Sequence, residues 1–197
     1  IIKFIIISYV ENNMNEQKTK VCPVELSGSL DNKLRRWLQN PNKLLAPYLK
    51  SGMKVLDMGC GPGFFSIEIA KMIGSDGKVF SVDLQEGMLN QIKKKIEGTE
   101  FEKRIHLIKS DGDNFVVPDK VDFILAFYMI HEVPDKENLF KLLKNILNAN
   151  GRFLIVEPKL FHVSKKEFEL TLQKAEQAGF KITNGPKLHF SHSAILN

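Results

Sequence analysis

The chain is poor in cysteine and tryptophan, with two of the first and one of the second among 197 residues. Cys22 and Cys60 build neither a disulfide framework nor a cysteine metal quartet. A reducing, cytoplasmic setting is expected and a resident metal is not. No apolar run approaches the about 20 residues that cross a bilayer. The most apolar stretch, IIKFIIISYV at 1–10, is too short and is broken by Lys3. It also lacks the basic leader and small-residue cleavage site of a secretory signal, so no membrane partner is expected. Internal repeats and low-complexity linkers are absent as well, which excludes a solenoid or an array.

What is present suits one globular domain with one sizeable core. Hydrophobic residues make up 43% and charged residues 26%. The net charge of +5 and pI near 9.1 favour anionic partners. However, the densest lysine run, Lys93-Lys94-Lys95, falls within a helical pattern and reads as a solvated face, so a nucleic-acid partner is not expected. The polar tract from Glu11 to Lys20 makes 1–20 a flexible segment. Two readings of 1–13 stand: sequence upstream of a natural start at Met14, or a β-strand or interface element. On the first, a protein beginning at Met14 is expected to express and melt like the full chain. A melting temperature lower by many degrees would show that the segment packs on the domain.

From about Ser29 to Leu49 apolar residues recur at helical spacing, with a break and restart at Asn40-Pro41. Strands and helices then alternate. Strands are predicted at Lys54–Asp57, Lys78–Val82, Ile105–Ile108, Val121–Phe127 and Arg152–Val156, and helices at Phe64–Ile73 and Glu86–Ile96. Asp135 caps a further helix, and the Ser164/Glu167 capping box opens one that ends at Gly179. Phe180–Thr183 and Lys187–Phe190, joined by Asn184-Gly185-Pro186, read as a hairpin. Continuous apolar strands between helices imply a parallel sheet covered on both faces. Ligands then bind beyond the carboxyl ends of the strands.

The loop after the first strand is Asp57-Met58-Gly59-Cys60-Gly61-Pro62-Gly63, and about twenty residues on the second strand ends in Asp83. Glycines let backbone approach a ligand closely, the following helix start favours an anionic group, and an acid at Asp83 can accept from both ribose hydroxyls. A dinucleotide fingerprint requires G-x-G-x-x-G, but Gly63 comes one position early and Phe64 stands where the third glycine would. VLDMGCGPGFFS, at Val55 to Ser66, instead closely resembles the first motif of class I S-adenosylmethionine-dependent methyltransferases. FSVDLQEGML, at Phe80 to Leu89, resembles the second, and the likeness runs well from about Leu45 to Val156.

The resemblance implies an α/β, doubly wound, Rossmann-like and mostly parallel sheet of seven strands. An antiparallel C-terminal hairpin strand completes it, with helices on both faces. It divides 21–197 into a helical lid at 21–50, a cofactor-binding core at 51–157, and a C-terminal helix and hairpin at 158–197. It implies S-adenosylmethionine as cofactor, leaving as S-adenosylhomocysteine. Gly59, Cys60, Gly61 and Gly63 would line its methionine and ribose portion, and Asp57 would reach the amino group. Asp83 would hold the ribose hydroxyls, with Leu84 against the adenine. The Ser110-Asp111-Gly112 turn would meet the adenine amino group through Asp111, with Asp113 leaving the register open. Ala126 and Phe127 would lie beside the sulfonium.

The segment from Ala126 to Asp135 would face the methyl acceptor. Transfer is an in-line displacement, so alignment and exclusion of water carry most of the work. Where the acceptor must lose a proton, His131 is the candidate base, with Tyr128 and Glu132 behind it. A backbone-bonded histidine at a helix start is the structural alternative. AFYMIH lacks the Asn/Asp-Pro-Pro-aromatic pattern of amino-methylating nucleic-acid enzymes. Two cysteines are too few for arsenite methyltransferase chemistry, although that core is similar, and Asp135 alone does not make a catechol-type metal site. What remains resembles small-molecule methyltransferases that include quinone-biosynthesis enzymes. Arg35, Arg36 and Trp37 would line an acceptor site or pack on the core. The rival functions are a non-catalytic or RNA-directed S-adenosylmethionine-binding module and a nicotinamide-dependent dehydrogenase. Acceptor atom and oligomeric state are left open.

Overall fold

A computed structural model describes residues 40–112, 114–159 and 163–197. The expectations for the 1–20 segment, for Cys22, for positions 21–39 of the helical lid with Arg35, Arg36 and Trp37, and for Asp113 lie outside these residues. The restart at Asn40-Pro41 is present: Asn40 Oδ1 accepts from the Lys43 N–H at 3.1 Å and opens α1, Pro41–Leu45. Then follow β1 (Lys54–Met58), α2 (Phe64–Ile73), β2 (Lys78–Asp83), α3 (Glu86–Ile96), β3 (Ile105–Lys109) and β4 (Val121–Phe127). A 3-10 turn (Ile130–Glu132) leads to α4 (Lys136–Ile146), β5 (Leu147–Pro158), α5 (Lys165–Gln177), β6 (Ile182–Asn184) and β7 (Ser191–Leu196).

The seven strands form one sheet in the order β3-β2-β1-β4-β5-β7-β6. The first five pair in parallel, while β7 runs antiparallel to both β5 and β6. Adjacent residues of each strand face opposite layers, as the period of two requires. Val55, Phe123 and Leu154 join the layer holding α1, α2 and α3. Leu56, Ile124 and Phe153 join the layer holding α4 and α5. The chain steps outward from β1 through β2 to β3, then returns to place β4 on the other side of β1. The loops after β1 and β4 therefore diverge, and this switch point is where a ligand fits.

Three expectations change. Lys187–Phe190 is not a strand, for Phe190 is exposed and the last strand is Ser191–Leu196. The reason is burial on both faces. Lying between β5 and β6, β7 turns Ala194 and Leu196 into one layer and Ile195 into the other, which an apolar Ala-Ile-Leu run supplies and an alternating Leu-His-Phe does not. β6 likewise starts at Ile182, because Phe180 sits below it, 5.9 Å from the Phe153 ring and 6.3 Å from the Phe140 ring. β5 is also longer than its apolar run suggests, reaching Pro158 and carrying Glu157 in register with His192.

Candidate functional site

The glycine loop is tied to the end of β2. Gly59 and Cys60 donate their N–H groups to the Val82 carbonyl at 2.9 and 3.0 Å. The Gly61 N–H donates to Asp83 Oδ2 at 2.8 Å, and Asp83 Oδ1 accepts from the Gln85 N–H at 2.8 Å. Lys95 donates to the Pro62 carbonyl at 2.8 Å, so one lysine of the exposed run braces the loop. All three loop glycines have positive φ, +66° at Gly59, +52° at Gly61 and +87° at Gly63. Packing separates them. A Cβ on Gly59 would stand 2.7 Å from Met129 Cβ, and one on Gly63 would stand 2.8 Å from Ile92 Cγ1, whereas one on Gly61 would meet nothing within 4 Å. Two glycines are needed by the fold itself, and the middle one borders open space.

Asp83 is only 8% exposed. An acid at the open carboxyl edge of a sheet would ordinarily be hydrated, but this carboxylate turns back beneath the glycine loop, where two backbone N–H groups bind it. Burial pushes its pKa up, and the N–H groups of Gln85, Gly61 and Leu84 offset part of that rise. The next residue, Leu84, is 44% exposed, an apolar side chain left in the open beside the acid. Ser110 is buried and donates its N–H to the Asp83 carbonyl at 3.0 Å, which brings the β3 loop to the same edge. Asp111 and Gly112 are exposed in a turn closed by reciprocal backbone bonds between Asp111 and Asn114 at 2.9 and 3.1 Å.

Asp57 is buried, with Oδ2 accepting from Ser66 Oγ at 2.6 Å, and Ser81 Oγ in turn donates to Ser66 Oγ at 2.9 Å. The side chain of Cys60 packs into the layer of α2 and α3, and burial first, then the charges of Asp57 and Asp83, hold its thiol well above the ordinary range. Phe64 does not project over the loop. Its ring is buried, edge-on to Phe65 at 4.9 Å. The case against a dinucleotide therefore rests on the glycine spacing.

Across the switch point, Ala126 and Phe127 are buried at the end of β4. Tyr128 follows with φ +60°, the one non-glycine positive φ among the described residues. Such a conformation costs about 1–3 kcal/mol. It is held by the Tyr128 N–H donating to the Val156 carbonyl at 2.8 Å and by the hydroxyl, 2.6 Å from Ser191 Oγ. The kink turns Met129 onto Gly59 and leads into the 3-10 turn. There His131 Nδ1 is hydrogen-bonded to Glu157 Oε2, while Glu157 Oε1 accepts from the Ile130 N–H at 2.9 Å. Burial alone would lower the His131 pKa, but the hydrogen bond and charge of Glu157, with Glu132, overcome it and raise it. Burial lifts the Glu132 carboxyl to about 7, with Glu157 and Asp83 adding to the rise and His131 opposing it.

The expected residues thus fall into two groups on one carboxyl edge. Gly59, Gly61, Gly63, Asp83, Leu84 and Ser110 gather around the β1 and β2 ends. Tyr128 and His131 stand beyond β4, joined to the first group by the contact of Met129 with Gly59. Glu157 was missed because the apolar run Phe153 to Val156 stops one residue before it. Its signal was there: an acid closing a strand that is otherwise apolar on both faces.

Residues 49–187 match the family described as a methyltransferase domain. Over 110 residues the chain is 31% identical to a demethylmenaquinone methyltransferase from Lactobacillus johnsonii, covering 55% of this chain and 45% of that protein. Over 131 residues it is 28% identical to a ubiquinone/menaquinone biosynthesis C-methyltransferase from Cronobacter sakazakii, covering 66% of this chain and 50% of that one. The chain spans about half the length of the curated relatives it matches. Among solved structures, a SAM-dependent methyltransferase from Aquifex aeolicus superposes with a TM-score of 0.77 at 27% identity, covering 89% of this chain and 98% of that chain.

Proposed function

This chain belongs to the methyltransferase domain family, and from that premise we propose that it binds S-adenosylmethionine and transfers the methyl group to a small molecule of the reduced-quinone type. The observation that carries the reading is the Gly61–Asp83 pair with Leu84 beside it. A ligand lying against Gly61 finds backbone without a side chain, a carboxylate for hydroxyl groups and an apolar side chain for an aromatic base. Those are the requirements of an adenosine attached to a charged amino acid. The donor set fits the cofactor, which supplies an activated methyl carbon when bound.

Each residue then has a task. Gly59 and Gly63 keep the loop tight, and Gly61 leaves room for the ligand. Asp83 accepts from the ribose, and Leu84 covers the base. Asp57, bonded through Ser66 to Ser81, fixes the start of the loop and gives the cofactor's ammonium a negative charge nearby. His131 takes a proton from the acceptor, and Tyr128 shapes the wall between the two ligands. The quinone-type acceptor is supported by the names of the curated relatives. Among the described residues no helix is long and apolar enough to cross a membrane, and none of the His, Cys, Asp and Glu residues cluster as a metal site.

Parallel calorimetric titrations with S-adenosylmethionine, S-adenosylhomocysteine and NAD test the reading. The first two are expected to bind with dissociation constants on the order of micromolar, and NAD to give no saturable heat. Binding of NAD without binding of S-adenosylmethionine would sink it.

A further inference from the structure

Glu157 is the most deeply buried carboxylate among the described residues, 1% exposed at the end of β5. An ionised group is costly there unless its oxygens are satisfied. They are divided between two partners of one 3-10 turn: the Ile130 N–H and the His131 ring. A neutral acceptor would serve Ile130 alone. A carboxylate also facing an imidazole nitrogen does more, for it selects the tautomer of the ring. With the hydrogen on Nδ1 donated to Glu157, the basic lone pair belongs to Nε2. Nε2 lies on the side of Glu132, 4.0 Å from Oε1.

We propose that Glu157 is a positioning residue that holds His131 as the Nδ1–H tautomer and aims Nε2 at an acceptor that must lose a proton to be methylated. The proposal rests on the methyltransferase reading and adds to it the acid that orients the base. His131 Nε2 takes the acceptor's proton. The electron pair left on the acceptor forms the bond to the methyl carbon, and the pair of the broken carbon–sulfur bond stays on sulfur. The imidazolium then gives its proton to solvent. Among the described residues, the charged groups that act on the ring include Glu157 on β5, Glu132 on the same turn and Lys136 on α4, the last opposing the other two.

Imidazole NMR on the cofactor-free protein, wild type and Glu157→Gln, tests this without turnover. The wild-type ring is expected as the Nδ1–H tautomer, titrating above the ordinary value of about 6.5. In Glu157→Gln the amide still accepts from Ile130, the ring titrates lower, and both tautomers are populated. S-adenosylmethionine affinity, measured by calorimetry, is expected to change less than about twofold, because Glu157 touches the base and not the cofactor. With 1,4-dihydroxynaphthalene as acceptor, kcat should fall about a hundredfold. Its rise with pH, which requires neutral His131, should move to lower pH along with the ring. A wild-type Nε2–H tautomer, or a ring whose titration is unmoved by Glu157→Gln, overturns the proposal. Should the variant not fold, the wild-type tautomer alone decides. Failure of wild type to bind S-adenosylmethionine, or to methylate the quinol, would count against the proposed function while the NMR still judges the pairing.

Discussion

Asp83→Ala is expected to weaken S-adenosylmethionine binding by about a hundredfold or more. The ribose would lose two hydrogen bonds to a charged acceptor, each worth about 1.5–3 kcal/mol, and about 1.4 kcal/mol is a factor of ten. The burial of Asp83 adds a cost to folding. The N–H groups of Gly61 and Gln85 lose the oxygens they bind at 2.8 Å. Both residues are half-buried, so water replaces part of what is lost, and a destabilisation of about 1–3 kcal/mol follows. For a chain of this size that lowers the melting temperature by roughly 2–10 °C. Asp83→Asn should be intermediate in binding: one oxygen still accepts, but its amide NH2 faces a backbone donor. Calorimetry beside thermal melts checks both. An unchanged affinity in a folded Asp83→Ala protein would make Asp83 only the anchor of the glycine loop.

The glycine loop predicts a division between two neighbouring alanine substitutions. Gly59→Ala is expected to cost about 2–5 kcal/mol of stability, from an unfavourable φ of about 1–2 kcal/mol and overpacking of about 1–3 kcal/mol. Its Cβ would lie 2.7 Å from Met129 Cβ and 2.8 Å from Cγ. A Cβ cannot rotate away, so the chain itself must shift. Gly61→Ala carries the φ penalty alone, since nothing lies within 4 Å of its Cβ. Its methyl group stands where the ligand approaches, and S-adenosylmethionine affinity should fall by about tenfold or more. Thermal melts and calorimetry on both proteins separate the roles. If Gly61→Ala binds the cofactor as wild type does, the open space beside Gly61 is not the ligand site.

Local signals in the sequence carried much of the fold. Helices at Phe64–Ile73 and Glu86–Ile96 and the strand at Val121–Phe127 stand at the predicted residues. The Asp135 cap and the Ser164/Glu167 capping box are made as read. These features are set by residues within a few positions of one another: periodicity, a capping oxygen, a glycine that admits positive φ. The acid following the glycine loop was legible for the same reason, because strand, turn and helix fix its distance along the chain.

Other features depended on which strands became neighbours. β7 takes its place from partners on both sides, so its apolar run could be recognised only once β5 and β6 flanked it. Asp83 is buried because the glycine loop folds back over the end of β2. Tyr128 holds its strained φ through Ser191, 63 residues away, and Glu157 meets His131 across 26 residues because β4 and β5 lie in parallel register. The sequence by itself determined the sheet-forming and helix-forming segments and the glycine loop with its acid, since short-range sterics and hydrogen bonds encode them. Only the tertiary structure decided how deeply Asp83 is buried and which carboxylate holds the histidine, since burial and pairing across strands belong to the assembled sheet.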